Sequence, residues 1–108
     1  MSKFLNYQGN SVKPRVSRYA YNDRLSVVLM DEMNCMYAVI SKNLVDAEVF
    51  NEYCAFVDTN NLPDIESWLQ RNNLAKPTYR WADSGFCRYP EYNFKNLLDA
   101  IERGIYDA

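Results

Sequence analysis

The chain has 108 residues, 48% of them hydrophobic and 15% aromatic, with a formal net charge of −2. That apolar mass is enough for one packed core and argues against disorder, while no apolar run approaches the ~20 residues that a membrane-spanning helix needs. There is no histidine, which removes Cys-His and Ser-His catalysis and every histidine-containing zinc site.

The charge is unevenly spread. Residues 1–18 carry four cations (Lys3, Lys13, Arg15, Arg18) and no acid, residues 19–66 two cations against nine anions, and residues 67–108 six cations against five anions. A phosphate-binding domain is normally net basic. The acidic middle instead complements a basic protein surface, such as one shaped to hold nucleic acid; ordinary solubilising charge is the alternative. The three cysteines, Cys35, Cys54 and Cys87, form no CxxC pair and read as reduced, small core residues. Met1–Asn6 lacks the apolar segment of a signal peptide, so a cytoplasmic chain is expected.

In chain order, residues 1–11 are polar, contain a Gly9-Asn10-Ser11 break and are expected to form a flexible or loosely docked arm, followed by a single domain over 12–108. Val12–Tyr21 alternates as a strand, and Pro14 assigns it to an edge or an interruption. Arg24–Asp31 and Met36–Ser41 are β-rich runs separated by four residues, which predicts an antiparallel meander. Lys42–Glu52 fits a short helical turn or an irregular crossing loop equally well. Tyr53–Asp58 reads as a fourth strand.

Asn60 or Asn61 is expected to cap a helix starting at Pro63, with Ile65, Trp68 and Leu69 on its apolar stripe. Thr78–Trp81 predicts a fifth strand, and Phe86–Tyr89 a short extended segment held by Pro90. Asn93 is positioned to cap a last helix over Phe94–Arg103, with Leu97, Leu98 and Ile101 inward and Gly104 at its end. The fold class is therefore α+β: a twisted antiparallel sheet of four to five strands with one or two helices packed on it.

Several pieces then fall into a recognisable order: Tyr37–Leu44, Ala55-Phe56-Val57-Asp58-Thr59-Asn60-Asn61, Leu69–Leu74, and Ser84-Gly85-Phe86-Cys87-Arg88-Tyr89-Pro90-Glu91-Tyr92. This order resembles a family of short proteins encoded on bacterial phages and conjugative elements. The shared marks are a hairpin, a D-T-N-N turn, a helix and an S-G-F-C-x-Y-P segment, spanning about residues 18–94. Some proteins of this kind look like anti-CRISPR inhibitors of type II effector nucleases. The resemblance implies a non-enzymatic inhibitor that binds such a nuclease and interferes with guide RNA loading or DNA targeting.

Asp58 with Asp64 and Glu66 could gather a divalent cation, but a strand-to-helix turn is the simpler reading. Cys87 has no histidine to activate it, and Gly85 reads as a turn or bulge residue. Tyr79, Trp81, Phe86, Tyr89, Tyr92 and Phe94 lie among Arg80, Arg88 and Lys95, a pattern of protein hot spots or of stacking surfaces for single-stranded nucleic acid. Alternation puts Tyr79 and Trp81 on one face and Arg80 on the other, so half of the cluster is expected in the core.

The expected partner-binding residues are Asp46, Glu48, Glu52 and Asp58, as phosphate mimics, with Tyr79, Arg80, Arg88, Tyr89 and Tyr92. No catalytic residue, metal ligand or cofactor is expected. The alternatives are a nucleic-acid-binding accessory protein using the basic arm and the aromatic segment, and a metal-dependent ribonuclease acting on guide RNA. Exposed edge strands also make a homodimer compatible with the sequence.

Overall fold

A computed structural model describes residues 3–106. Among the described residues, eight strands form two four-stranded antiparallel sheets, with one helix before the last hairpin and one after it. The fold is α+β, as the sequence predicts, with twice as many sheets as expected.

The first sheet is a meander of β1 (Leu5–Tyr7), β2 (Asn10–Arg18), β3 (Leu25–Asp31) and β4 (Met36–Val39), in that spatial order. Gln8 and Gly9 both have positive φ and close the β1–β2 hairpin between Tyr7 and Asn10, the backbone a two-residue primed turn requires. Pro14 is tolerated because β1 pairs only as far as Val12, leaving no neighbour on the side where an N–H is missing. From Leu25 to Leu29 β3 keeps a period-two pattern, with Leu25, Val27 and Leu29 buried and the residues between them half-buried; it breaks at Met30, which is also buried and lies where the register to β4 shifts. The β3–β4 turn is held by Asp31, whose Oδ1 accepts from Met33 N and Cys35 N, both at 2.9 Å.

The Met36–Ser41 run, read as one strand, serves two sheets. Ile40 donates its N–H to Val27 O in the first sheet (2.9 Å), and its carbonyl accepts from Asp58 N (2.8 Å). The chain then continues as β5 (Ser41–Lys42) at the edge of the second sheet, followed by β6 (Cys54–Val57), β8 (Cys87–Asn93) and β7 (Lys76–Ser84) in spatial order. All four residues of β6 are buried. Ala55 and Val57 join the main core, while Phe56 packs with Leu44 and Tyr89 in a smaller cluster. The main core lies between the sheets and α1 (Ile65–Arg71) and α2 (Lys95–Glu102), with Tyr7, Val27, Leu29, Ile40, Leu69, Tyr92, Phe94 and Leu97 all fully buried. Each such side chain contributes about 1.5–3 kcal/mol by leaving water.

Two local expectations are corrected. Residues 1–11 are not a loose arm over their described part. Leu5–Tyr7 is a sheet strand and Tyr7 is fully buried, its ring edge-on to Trp68 at 5.0 Å. Tyr7 OH donates to Asp64 Oδ1 (2.7 Å), and Trp68 Nε1 donates to Asn6 O (2.6 Å). The aromatic anchor Tyr7 outweighs the polar composition around it. The domain thus starts before residue 12; Met1 and Ser2 of the arm, and Asp107 and Ala108 of the domain, lie outside the described residues.

The second correction concerns α1, which starts at Ile65 rather than Pro63 and has no side-chain cap. The preceding turn is held by Asp58 instead, whose carboxylate accepts from Asn61 N (3.2 Å) and Asn61 Nδ2 (2.8 Å). α2 likewise has Phe94 rather than Asn93 at its cap position and no side-chain cap; Asn93 Oδ1 instead accepts from Lys95 N (2.8 Å) and closes the turn that leads into the helix.

Candidate functional site

The β7–β8 hairpin carries most of the chemistry that the sequence singled out. Its tip is a two-residue turn, Gly85-Phe86, between the paired Ser84 and Cys87, with Gly85 at φ +61°. Glycine at that first central position is what the turn geometry requires. β7 is the outer strand of its sheet and is interrupted by a bulge. Pro77 pairs with Tyr92 and Trp81 with Pro90, so Thr78, Tyr79 and Arg80 together face Glu91.

The bulge is organised by a buried charge. Glu91 is fully buried, and its carboxylate accepts from Phe50 N (2.7 Å) through one oxygen and from Thr78 Oγ1 (2.6 Å) through the other. Arg80 Nη1 approaches the second oxygen at 3.5 Å. A carboxylate out of water is stable only when its lone pairs are met by donors. Those donors fold three bulge residues around Glu91 and turn Tyr79 outward at φ +65°.

Glu91 was not among the residues expected to matter. Its sequence signal, a lone acid in an aromatic strand flanked by Pro90 and Tyr92, was present but ambiguous without the bulge opposite it.

The same network fixes the 43–53 segment, which is an irregular loop. Its polar backbone is met from the strands: Arg24 Nη1 donates to Leu44 O (2.7 Å), Arg18 Nη1 to Glu52 O (2.9 Å), Arg80 Nη2 to Glu48 O (3.4 Å), and Glu91 accepts from Phe50 N. A loop whose buried groups are satisfied by side chains needs no helix.

The expected partner-binding residues divide into two sets. Asp46, Glu48 and Glu52 are exposed on this loop, and Arg80 and Arg88 are exposed on the hairpin beside Tyr79. Arg88 pairs across the strands with Asp83 (2.9 Å), which raises its pKa. Asp58, Tyr89 and Tyr92 are buried and leave the surface set. Asp58 holds the turn before α1, and Tyr89 packs in the small cluster with Leu44 and Phe56. Tyr92 OH donates to Glu66 Oε1 (2.9 Å) and accepts from Gln70 Nε2 (2.9 Å); burial first, then that bond to Glu66, raises its pKa.

Half of the aromatic cluster lies in the core, as expected, in Tyr89, Tyr92 and Phe94, but the expected alternation of Tyr79 and Trp81 against Arg80 makes no division in burial, since all three are exposed. Tyr79 is 74% and Trp81 56% exposed, and Phe86 at the tip is fully exposed. The bulge breaks the period-two alternation, and β7, as the outer strand, has no further strand to cover these rings.

Other candidates disperse. Asp58, Asp64 and Glu66 bond to Asn61, Tyr7 and Tyr92 respectively, so their carboxylates do not converge. Of the cysteines, Cys54 is buried as expected, Cys87 is half-buried and Cys35 is exposed in the β3–β4 turn. Burial, and after it the Glu91 charge, pushes the Cys54 thiol up. Of the basic cluster near the N-terminus, Arg15 donates to Asn34 Oδ1 (3.1 Å) and Arg18 to Glu52 O, while Lys13 lies over the Phe4 ring. Those cations are spent on local contacts.

On the flank of the bulge opens a cleft of about 460 Å³, lined by Phe50, Lys76, Pro77, Thr78, Arg80, Asn93, Lys95 and Asn96. Among the described residues, no helix is long and apolar enough to cross a membrane. No curated protein and no solved structure matches the chain. A family model does, over residues 14–103, from Pro14 in β2 past the end of α2. The chain belongs to the family described as Domain of unknown function (DUF4313).

Proposed function

We propose that this chain is a non-enzymatic binding protein that docks on a protein partner through the β7–β8 hairpin and the adjoining 43–53 loop. The observation that carries the reading is the exposure of Tyr79, Trp81 and Phe86 on one hairpin, interleaved with Arg80 and Arg88. Tyr, Trp and Arg dominate the residues that hold protein interfaces together, and large rings left in water on a rigid hairpin mark such a surface. The exposed acids Asp46, Glu48 and Glu52 lie on the neighbouring loop, which Arg80 ties to the hairpin. They would meet a basic rim on the partner and steer its approach.

The partner to test first is the one the sequence resemblance implies, a type II CRISPR effector nuclease, with guide RNA loading or DNA targeting as the step blocked. A basic nucleic-acid channel supplies the charge that this acidic loop complements. Co-elution on gel filtration, with and without guide RNA, tests the proposal, and a denaturing gel reads RNA integrity in the same tubes. A complex with intact RNA is expected, weakened at least tenfold by Trp81→Ala or Phe86→Ala and by joint Asp46→Lys, Glu48→Lys and Glu52→Lys. Shortened RNA would instead support a nuclease. A complex indifferent to all five substitutions would remove the hairpin and loop as the docking surface.

A further inference from the structure

The cleft beside the bulge has a composition unlike the surface around it. Its walls come from four separate places: Phe50 from the loop, Lys76–Thr78 and Arg80 from β7, Asn93 from the end of β8, and Lys95 with Asn96 from the start of α2. Three of the eight lining residues are cations and none is an acid, in a chain whose net charge is −2. The carboxylates that neutralise part of this charge stand outside the lining. Glu91 reaches Arg80 from beneath, and Asp99 reaches Lys95 Nζ at 3.2 Å from the next turn of α2.

The donors are only partly used. Lys76 forms no ion pair or side-chain hydrogen bond among the described residues. Arg80 is held by two long contacts, at 3.5 and 3.4 Å, leaving most of its five N–H groups unspent. Asn93 uses its Oδ1 on Lys95 N, and its amide Nδ2 has no acceptor among the described residues. The same lining carries an apolar part: Phe50, 67% exposed, with Pro77. The Phe50 backbone is tied down by Glu91, which accepts from its N–H at 2.7 Å, and the Arg80 guanidinium sits 5.8 Å from its ring centroid.

We infer that this cleft binds a nucleoside 5′-phosphate, with the phosphate among Lys76, Arg80, Lys95 and Asn93 Nδ2 and the base against the Phe50 ring. Three cations and an amide donor lining one cleft suit a phosphate monoester, and an exposed ring in the same lining suits the flat face of a base. A volume of about 460 Å³ accommodates one nucleotide rather than a chain. Glu91 positions the site from behind by holding Phe50, Thr78 and Arg80 together. The ligand chemistry is the same for a free mononucleotide and for the 5′-phosphorylated end of a strand.

Amide chemical-shift titration of the full chain with adenosine monophosphate tests the inference. The expected result is saturable shifts confined to residues near 50, 76–80 and 93–96, weakening with added salt. Lys76→Gln and Lys95→Gln, both exposed positions whose variants keep a folded amide spectrum, should each weaken binding about three- to tenfold. Phe50→Ala should erase the preference for the nucleotide over inorganic phosphate.

A 5′-phosphorylated oligonucleotide binding more tightly than adenosine monophosphate, with its 5′-hydroxyl twin not binding at the cleft, identifies the strand end as the source. The reverse order identifies the free nucleotide. No localised shift at millimolar nucleotide, or binding unaffected by Lys76→Gln and Lys95→Gln together, overturns the inference.

Discussion

Replacing Glu91 with glutamine tests whether a buried carboxylate is what folds the bulge and pins the 43–53 loop. The substitution keeps shape and volume but turns one acceptor oxygen into an NH₂ donor. In the native chain both oxygens face donors: Phe50 N at 2.7 Å on one, Thr78 Oγ1 at 2.6 Å and Arg80 on the other. If the NH₂ points at Phe50 N, a short bond is lost and a donor faces a donor in a fully buried place; if it points at Thr78, the hydroxyl can turn to accept, but both short bonds lose the carboxylate charge and Arg80 faces a donor.

A hydrogen bond to a charged group is worth about 1.5–3 kcal/mol against about 0.5–1.5 for a neutral one, so weakening the two short bonds should cost roughly 2–3 kcal/mol. For a domain of this size that lowers the melting temperature by about 10–25 °C. Arg80 contributes far less, because its side chain is 43% exposed and solvent screens the pair. Arg80→Gln should cost less than about 1 kcal/mol. Urea unfolding followed by circular dichroism measures both. A Glu91→Gln loss below about 1 kcal/mol, or an Arg80→Gln loss equal to it, would refute the argument that the two short bonds organise the bulge.

Removal of residues 1–7 should destabilise the domain by at least about 3 kcal/mol, since it empties the space of a fully buried tyrosine; a truncated chain that melts at the native temperature would restore the loose-arm reading. Stability should fall as pH rises above about 10, where the tyrosines of the unfolded chain ionise. Tyr7 and Tyr92 keep their protons in the folded state because burial and their carboxylate partners raise their pKa values. Their contribution is therefore complete below pH ~10 and lost as pH rises past it. Tyr7→Phe should flatten that decline, and an unchanged alkaline profile would contradict it. Alkylation of the native protein should reach the exposed Cys35 first and the buried Cys54 only on unfolding, read by mass spectrometry; equal rates at the two would argue against the burial of β6.

What the sequence by itself determined is what depends on local pattern. The density of Val, Leu and Met over Arg24–Asp31 predicts β3, the Ile65, Trp68 and Leu69 stripe predicts α1, and Gly85 reads as a turn or bulge residue, all because side-chain preference and backbone sterics act over a few residues. The α+β class followed from those pieces, as did the exposed acids Asp46, Glu48 and Glu52.

Tertiary structure alone decided whatever depended on a distant partner. Nothing near Tyr7 announces burial, because its partners, Asp64 and Trp68, are more than fifty residues away. Nothing in Met36–Lys42 announces a division between two sheets, because Ile40 bonds to Val27 on one side and Asp58 on the other. Parity alone set Tyr79 and Trp81 on one face and Arg80 on the other; Glu91 across the ladder gathered a three-residue bulge and left all three exposed. A buried charge recruits donors through space, without regard to sequence order, and here that recruitment shapes both the exposed aromatic hairpin and the cationic cleft.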